Sequence, residues 1–561
     1  MPPTPTFPLT RVLLVLVLSV GAAASLTGLD WGLPYQWHTD EKVTQALNVL
    51  HSSKRDPDYF INPHLHIYLV AAAFEIAHRR YPAAHVGRAL PEILPMLDAD
   101  STGRALQFTA MRLARGISVL FGLSTLYVLF VIGRRSWDDA TGLLAAAFAA
   151  VTMGLVNLWH FATPEALLIL LTLLALGSLD RLMAQATYRS YAVTGLLVGL
   201  ACSTKYTACL LAVPVLAAHA AVRGRSSLDA RSVRHLATAA AASLAGFLAG
   251  TPLVIVDWKQ FWQFGVEYNW YTGAPTGTLI EVRHSYGPYL ALLADGLGWP
   301  LLVLSGIGLA AAIRRLIRDR LDASRRSLLI HVIWIVSFYG FYGLSPHHAL
   351  RFIMPIAPSL VLLAAVCSVA AGRVRRVPVR RVVVLSIALV LVYSAIYTGR
   401  ADDMFLNDTR YAAGRYLTDA LTPGGRLDFF EIEAYLPYFN RPCPGLRFVP
   451  FVDHVTLHGA RFWETADDYL RDSNAPIVDS DFYWDRYLDN PRGYPERAEF
   501  YRFLLTGTDP NGFHPIARFA FANPRWLNPR PERVAPDVVV FGKSPLTGGR
   551  DDASGHRRAS N

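Results

Sequence analysis

Residues 37–42 read WHTDEK: two adjacent carboxylates, Asp40 and Glu41, followed at once by Lys42, just beyond the first strongly apolar stretch of the chain. Other ionisable residues stand in comparable places, at the edges of apolar runs. They are His64 and His66, His160, Glu165 after Pro164, Lys205 after Thr204, His284, and the group His347, His348 and Arg351. As a set they suit one kind of chemistry. A carboxylate accepts the proton of an attacking hydroxyl or amine when geometry and pKa allow. Arginine, lysine and histidine hold a phosphate and neutralise the charge it gains as it leaves. Each residue also has a plainer role open to it. Asp40 and Glu41 could be solvated loop acids, Glu165 a first-turn acid of a helix, Lys205 a side chain snorkelling to the interface, and Arg351 a contact to ordinary lipid phosphate. A shared location decides between these readings, and that depends on the elements that carry them.

The chain has 561 residues, 52% of them hydrophobic and only 17% charged, which is too apolar for an ordinary soluble domain. The formal charge is +10 and rests on arginine, since there are only five lysines: Lys42, Lys54, Lys205, Lys259 and Lys543. The arginines cluster in short connections between apolar runs, so the basic balance reflects membrane topology rather than nucleic acid. Cys202, Cys209 and Cys367 lie in apolar segments and Cys443 stands alone, with no spacing typical of a disulfide framework or a zinc site.

A membrane span needs about 20 apolar residues. Runs of this kind fall at 10–29, 107–132, 138–157, 164–183, 188–204, 206–222, 234–256, 287–313, 328–345, 350–371 and 382–399, which predicts about eleven transmembrane helices. With the N-terminus inside, the inner connections hold 19 arginines, from Arg134 to Arg381, whereas the short outer connections near 158–163 and 204–206 hold one basic residue, Lys205. This asymmetry predicts a multi-pass protein of the cytoplasmic membrane with its C-terminus outside. The first run ends near Ala22-Ala23-Ala24, a small-residue stretch that a signal peptidase could use, and the reading preferred here is an uncleaved first span.

The fold expected is therefore an all-α polytopic membrane domain, residues 1–399, with a long first outer loop at about 30–106. A small α/β extracytoplasmic domain would follow at 400–545, and a disordered tail at 546–561. Within the second domain, 427–430 and 537–541 read as strands and 409–421 and 464–471 as helices. The threading puts all the ionisable residues of the first paragraph at the outer edge of the membrane. Ionisable residues there are costly and more often functional than surface ones. No ATP or nucleotide sugar is available on that side, so an activated donor would be a lipid-linked phosphate delivered within the bilayer. The reaction that follows is transfer of a sugar from a polyprenyl phosphate to an acceptor hydroxyl or amine. The alternative class is a transporter or flippase of lipid-linked substrates. Transporters, however, place charge at mid-membrane and show internal repeats, and neither pattern is visible here.

Five stretches in order carry a family resemblance: HTDEK, YFINPHLHIYL, HFATPEALLILLTLLAL, STKYTACLLAVPVLAA and HHALRFIMPIAPSLVLLAA. Over residues 10–400 the chain resembles the GT-C membrane glycosyltransferases, in particular the protein mannosyltransferase and aminoarabinose transferase group, which use polyprenyl-phosphate sugars. The resemblance implies Asp40 as catalytic base with Glu41 supporting it, and Glu165 as a second site carboxylate, where Asp is commoner. It also implies Lys205 and Arg351 at the donor phosphate with His347 and His348 beside them, and His284 as a loop histidine facing the site. Several relatives carry an acid and a lysine before Pro-Pro in the first loop. Here the stretch is Ile61-Asn62-Pro63-His64, so a divalent metal is left open and His64 stands as a substitute phosphate donor. The partners implied are the lipid-linked donor, an acceptor glycan, lipid or protein, and membrane lipid.

Overall fold

The computed structural model describes residues 7–546 except 34, 81–100, 228, 268–284, 319–321, 346–347, 423, 431–434, 440–444 and 453–456. His284, His347 and the expected tail beyond 546 lie outside the described residues. From Phe7 to Leu406 the described chain is a helical bundle. Seven segments are by length and composition able to cross a membrane: Leu9–Leu26, Thr109–Ser136, Glu165–Gln185, Tyr206–Arg223, Trp299–Arg318, Leu350–Gly372 and the long segment that starts at Val377. An eighth is the pair Asp139–Ala150 and Met153–Trp159, bent by 66°. The remaining expected spans are also helical. Tyr188–Cys202 has only 15 residues, while Ala230–Gly250 and Ala323–Gly343 carry arginines in their first two turns and are less apolar. The run 287–313 is two helices, Tyr286–Leu297 and Trp299–Arg318, divided at Gly298, whose φ of 75° a residue with a Cβ rarely adopts.

Between apolar helices in lipid, close packing replaces the hydrophobic effect as the attraction. Helices Tyr188–Cys202 and Ala230–Gly250 meet through glycine. A Cβ on Gly195 would sit 2.1 Å from the Ala239 carbonyl oxygen, and one on Gly199 would sit 2.0 Å from that of Ser243.

The described part of the segment expected as a long first loop is more ordered than a plain loop. It contains helices Val43–His51 and Leu65–Arg80, and two backbone hydrogen bonds stitch it to the bundle: Lys42 N–H to Ala162 O at 2.9 Å and Leu65 N–H to Ser203 O at 3.0 Å. Val43, Ala46, Ile67, Phe74 and Ala162 pack beneath it as a small core. Trp31, Tyr35, Trp37, Phe161 and Phe405 form a second one nearer the C-terminal domain.

Helix Val377–Leu406 continues past the expected boundary at 399, and helix Thr409–Ala420 then opens the C-terminal domain. Its strands are β1 (Leu427–Phe429), β2 (Leu446–Phe448), β3 (Ile477–Ser480), β4 (His514–Phe519) and β5 (Val538–Gly542). They form one mixed sheet in the order β2-β1-β3-β5-β4. β1 is parallel to β2 and β3, and β5 is antiparallel to β3 and β4. Helices Ala460–Asp472, Asp481–Leu488 and Pro495–Thr506 cover it. The buried carboxylates at strand positions are matched: Asp428 accepts from Arg426, Arg447 and Tyr469, and Asp479 from Tyr501 at 2.6 Å.

Candidate active site

Asp40 lies in the turn before helix Val43–His51. Its Oδ2 is 3.0 Å from Arg351 Nη2, and its side chain remains 37% exposed. Its backbone N–H donates to His38 Nδ1 at 3.2 Å. Burial pushes the Asp40 carboxyl up, but the positive groups around it, Arg351 first, outweigh that and hold it well below the usual carboxylate range. Burial lowers His38 to about 4, so its ring is neutral and able to accept at ordinary pH.

Glu41 turns the other way. Its oxygens meet Arg115 side-on, at 2.8 Å to Nε and 2.9 Å to Nη2, and Oε1 also accepts the Ala162 N–H at 3.0 Å. Arg115 completes its bonding on the carbonyls of Leu29 and Trp31. Both side chains are buried, so the pair pins the Asp40 turn to the span that carries Arg115. An arginine inside the apolar run 107–132 was the sequence signal for such a partner, since a buried charge needs one.

Glu165 is the first residue of its helix and follows the N-cap residue Pro164, which offers no side-chain capping bond. It accepts from Lys205 Nζ at 2.7 Å. Lys205 stands with extended backbone (φ −153°, ψ 132°) at the break between helix Tyr188–Cys202 and the 3-10 turn Tyr206–Leu211. Phe352 joins the two halves of the site: Lys205 Nζ lies 4.8 Å from its ring centre and the Arg351 guanidinium 4.9 Å. Arg351 itself is delivered by the helical turn Leu350–Ile353, which passes through Met354–Ile356 into the helix Ala357–Gly372. Pro355 and Pro358 account for that irregular entry. Asp40, Arg351, Lys205 and Glu165, four of the expected residues, thus come together.

His64 does not join them. Its Nε2 faces the Tyr59 carbonyl at 2.7 Å, and its ring lies between those of Phe60 and Tyr68. The histidine near the cluster is His66, two residues on, in the field of Glu165 and Lys42. Glu165 has the Thr163 hydroxyl as a further neighbour, whereas both His66 ring nitrogens are buried without a hydrogen-bond partner among the described residues. Such atoms are rare in folded proteins and point to a ligand or water. His348 is half-buried, with its ring 6.4 Å from that of Tyr289 and its field on Asp489. His160 is bonded to the carbonyls of Val156 and Thr27 and serves the packing of the first helix.

The C-terminal domain adds two residues that the sequence reading missed. Glu532 pairs with Arg351 Nη1 and accepts the Arg351 backbone N–H at 3.0 Å. Arg533 follows it, close enough to Asp40 and Arg351 to feel both charges. Nothing in the local pattern NPRPERVAP marks these two, because they reach the site only through the fold.

A divalent ion does not fit this donor set. Asp40 and Glu532 are matched to Arg351, Glu41 to Arg115 and Glu165 to Lys205, so each carboxylate already meets a cation of the chain. Among the described residues no three His, Cys, Asp or Glu side chains gather in a metal-binding group.

Residues 105–249 match the family described as dolichyl-phosphate-mannose-protein mannosyltransferase, about a quarter of the chain. That stretch contains Arg115, Glu165 and Lys205. The apo oligosaccharyltransferase of Archaeoglobus fulgidus superposes with a TM-score of 0.50 at 12% identity, over 93% of this chain and 75% of that one. The chain shares that enzyme's fold. A structure of the same Archaeoglobus protein with zinc and sulfate also gives 0.50, at 13% identity over 87% of this chain and 71% of that one. ArnT of Cupriavidus metallidurans, solved bound to undecaprenyl phosphate, gives 0.47 at 16% identity, over 98% of this chain and all of that one. No curated protein matches the sequence.

Proposed function

We propose that the protein is an integral membrane glycosyltransferase that moves a sugar from a polyprenyl phosphate to an acceptor at the outer face of the cytoplasmic membrane, with the N-terminus inside and the C-terminal domain outside. The observation that carries this reading is the division of labour among the carboxylates. Glu41 is buried and saturated and Glu165 is buried beside Lys205, whereas Asp40 is charged, half-exposed and next to Arg351. The match to the mannosyltransferase family and the shared oligosaccharyltransferase fold supply the class of reaction.

In this mechanism the acceptor enters from the aqueous side, and its hydroxyl or amine attacks the anomeric carbon. Asp40 takes the proton of that nucleophile. The bond from the anomeric carbon to the phosphate oxygen breaks, and its electron pair leaves on the phosphate. Arg351 and Lys205 hold the departing charge, and preorganised cations of this kind lower the barrier most where charge develops. A single displacement inverts the anomeric centre. The unpartnered ring nitrogens of His66 offer a donor and an acceptor to sugar hydroxyls. The test is transfer of a radiolabelled sugar from polyprenyl phosphate in proteoliposomes, by wild type and by Asp40→Asn. Wild type should transfer and the variant should not. A folded Asp40→Asn protein that transfers at the wild-type rate would remove Asp40 from the mechanism, and a wild type inactive with every polyprenyl-phosphate sugar would remove the reaction.

A further inference from the structure

Two guanidinium groups from different parts of the chain bring positive charge to Asp40, Arg351 by direct contact and Arg533 through its field, and their surroundings differ. Arg351 carries a carboxylate on each terminal nitrogen, Asp40 on Nη2 and Glu532 on Nη1. Arg533 carries none: among the described residues no carboxylate lies within ion-pair distance of it. Its partners are the Tyr435 hydroxyl and the ring faces of Tyr435 and Phe482, at 5.2 and 5.9 Å. A cation withdrawn from water without a counter-charge is costly, and burial pulls this one below the usual arginine value.

The chain nevertheless takes trouble to place it. Arg533 has φ 66° and Ala535 φ 49°, left-handed conformations that non-glycine residues adopt at a cost and that persist only where the surroundings enforce them. The enforcement is visible. Asn157 Oδ1 accepts the Glu532 N–H at 3.1 Å, Arg410 donates to the Arg533 carbonyl at 3.0 Å, Asp408 accepts the Ala535 N–H at 2.7 Å, and Thr409 donates to the Pro536 carbonyl. Arg410 and Asp408 are themselves a buried ion pair, with Arg410 packed 3.9 Å from the ring centre of Trp37. A buried latch thus holds a strained turn that carries one guanidinium, without an ion-paired carboxylate among the described residues, within the field of Asp40.

We propose that Arg533 is an anion-binding residue of the Asp40 site, supplied by the C-terminal domain, and that its ligand is a phosphate-class oxyanion. The forked donors of arginine match such a group better than the point charge of lysine does. This rests on the reading of Asp40 as the reacting carboxylate, and two sources of the oxyanion fit it. One is the phosphate of the lipid donor, shared with Arg351 once Glu532 is displaced. The other is a phosphate borne by the acceptor.

The test uses the purified full-length protein in detergent and reads binding without turnover, so it is separate from the transfer assay. Undecaprenyl phosphate and inorganic phosphate are titrated, the latter with the lipid phosphate already bound, against wild type, Arg533→Gln and Arg533→Lys. Tyr435→Phe is a milder variant that removes only the hydroxyl contact. If Arg533→Gln weakens undecaprenyl phosphate binding about tenfold or more, with Arg533→Lys between, the donor is the source. If that binding is unchanged while inorganic phosphate is lost by the lipid-loaded protein, the source is the acceptor. If Arg533→Gln is unstable, the same two comparisons are read on Arg533→Lys and Tyr435→Phe. Binding of both probes by the folded variants as by wild type overturns the proposal, even with transfer intact. A wild type that binds neither probe overturns it together with the donor class.

Discussion

At the scale of single residues, the decisive pair is Asp40 and Glu41. Adjacent acids look interchangeable in a sequence, yet one stays partly exposed beside Arg351 and the other meets a buried arginine. Removing the base should cost about a hundredfold to ten-thousandfold in rate, the range typical of general-base catalysis. Asp40→Asn should therefore lower kcat by that amount with little change in Tm, measured by steady-state transfer and thermal unfolding. The arginine beside Asp40 keeps it ionised through the whole neutral range, because its folded pKa lies below the ordinary one. Its contribution to a pH–rate profile is therefore flat between about pH 5 and 8. An acidic limb in kcat/KM inside that window, lost in Asp40→Asn, would contradict the assignment. Arg351→Gln should raise the KM for the lipid donor more than it lowers kcat. Asp40, Glu165, Lys205 and Arg351, which the structure brings together, stand out in the sequence because each lies at the edge of an apolar run. His66 was passed over for His64 because alternate residues of one short stretch look alike until the chain turns into helix Leu65–Arg80.

At the scale of elements, the Glu41–Arg115 pair fixes the segment after the first helix to the helix Thr109–Ser136. Breaking one partner leaves a buried charge and should cost about 3–5 kcal/mol. Glu41→Gln should accordingly lower Tm sharply, and Glu41→Leu with Arg115→Met should recover part of the loss, since no charge is then stranded. A double variant no more stable than the single one would argue against pairing as the cause. The glycine contact is a second test. A side chain at Gly199 would meet the backbone of the neighbouring helix, which cannot swing aside as a flexible side chain could. Gly199→Leu should lose about 1–3 kcal/mol or more through overpacking, read as reduced yield of monodisperse protein. Apolar runs located the long helices of the bundle, because length and hydropathy act locally, but not Val43–His51 or Leu65–Arg80. The division at Gly298 and the bend between Ala150 and Met153 escaped that reading, because backbone angle leaves no mark on hydropathy.

At the scale of the whole molecule, four histidines outside the spanning segments, His38, His64, His66 and His160, are buried, and burial lowers each to about 4. The unfolded chain binds these protons near the ordinary histidine value while the folded chain refuses them, so stability is full above that value and falls as pH drops towards 4. Tm should fall by on the order of 5 °C between pH 7 and 5. A Tm independent of pH over that interval would mean these rings are protonated or exposed in the folded protein. A helical region followed by a small sheet domain was legible from composition, and β1 and β5 from short apolar runs. The mutual docking of the two domains was not, because it depends on contacts such as Trp31 with Asp408, at 2.9 Å, between residues far apart in sequence. That contact has a consequence for how the protein is made. Asp40 precedes Glu532 and Arg533 by most of the length of the sequence. During synthesis it therefore stays without these two neighbours until the C-terminal domain has been made and has docked through such contacts.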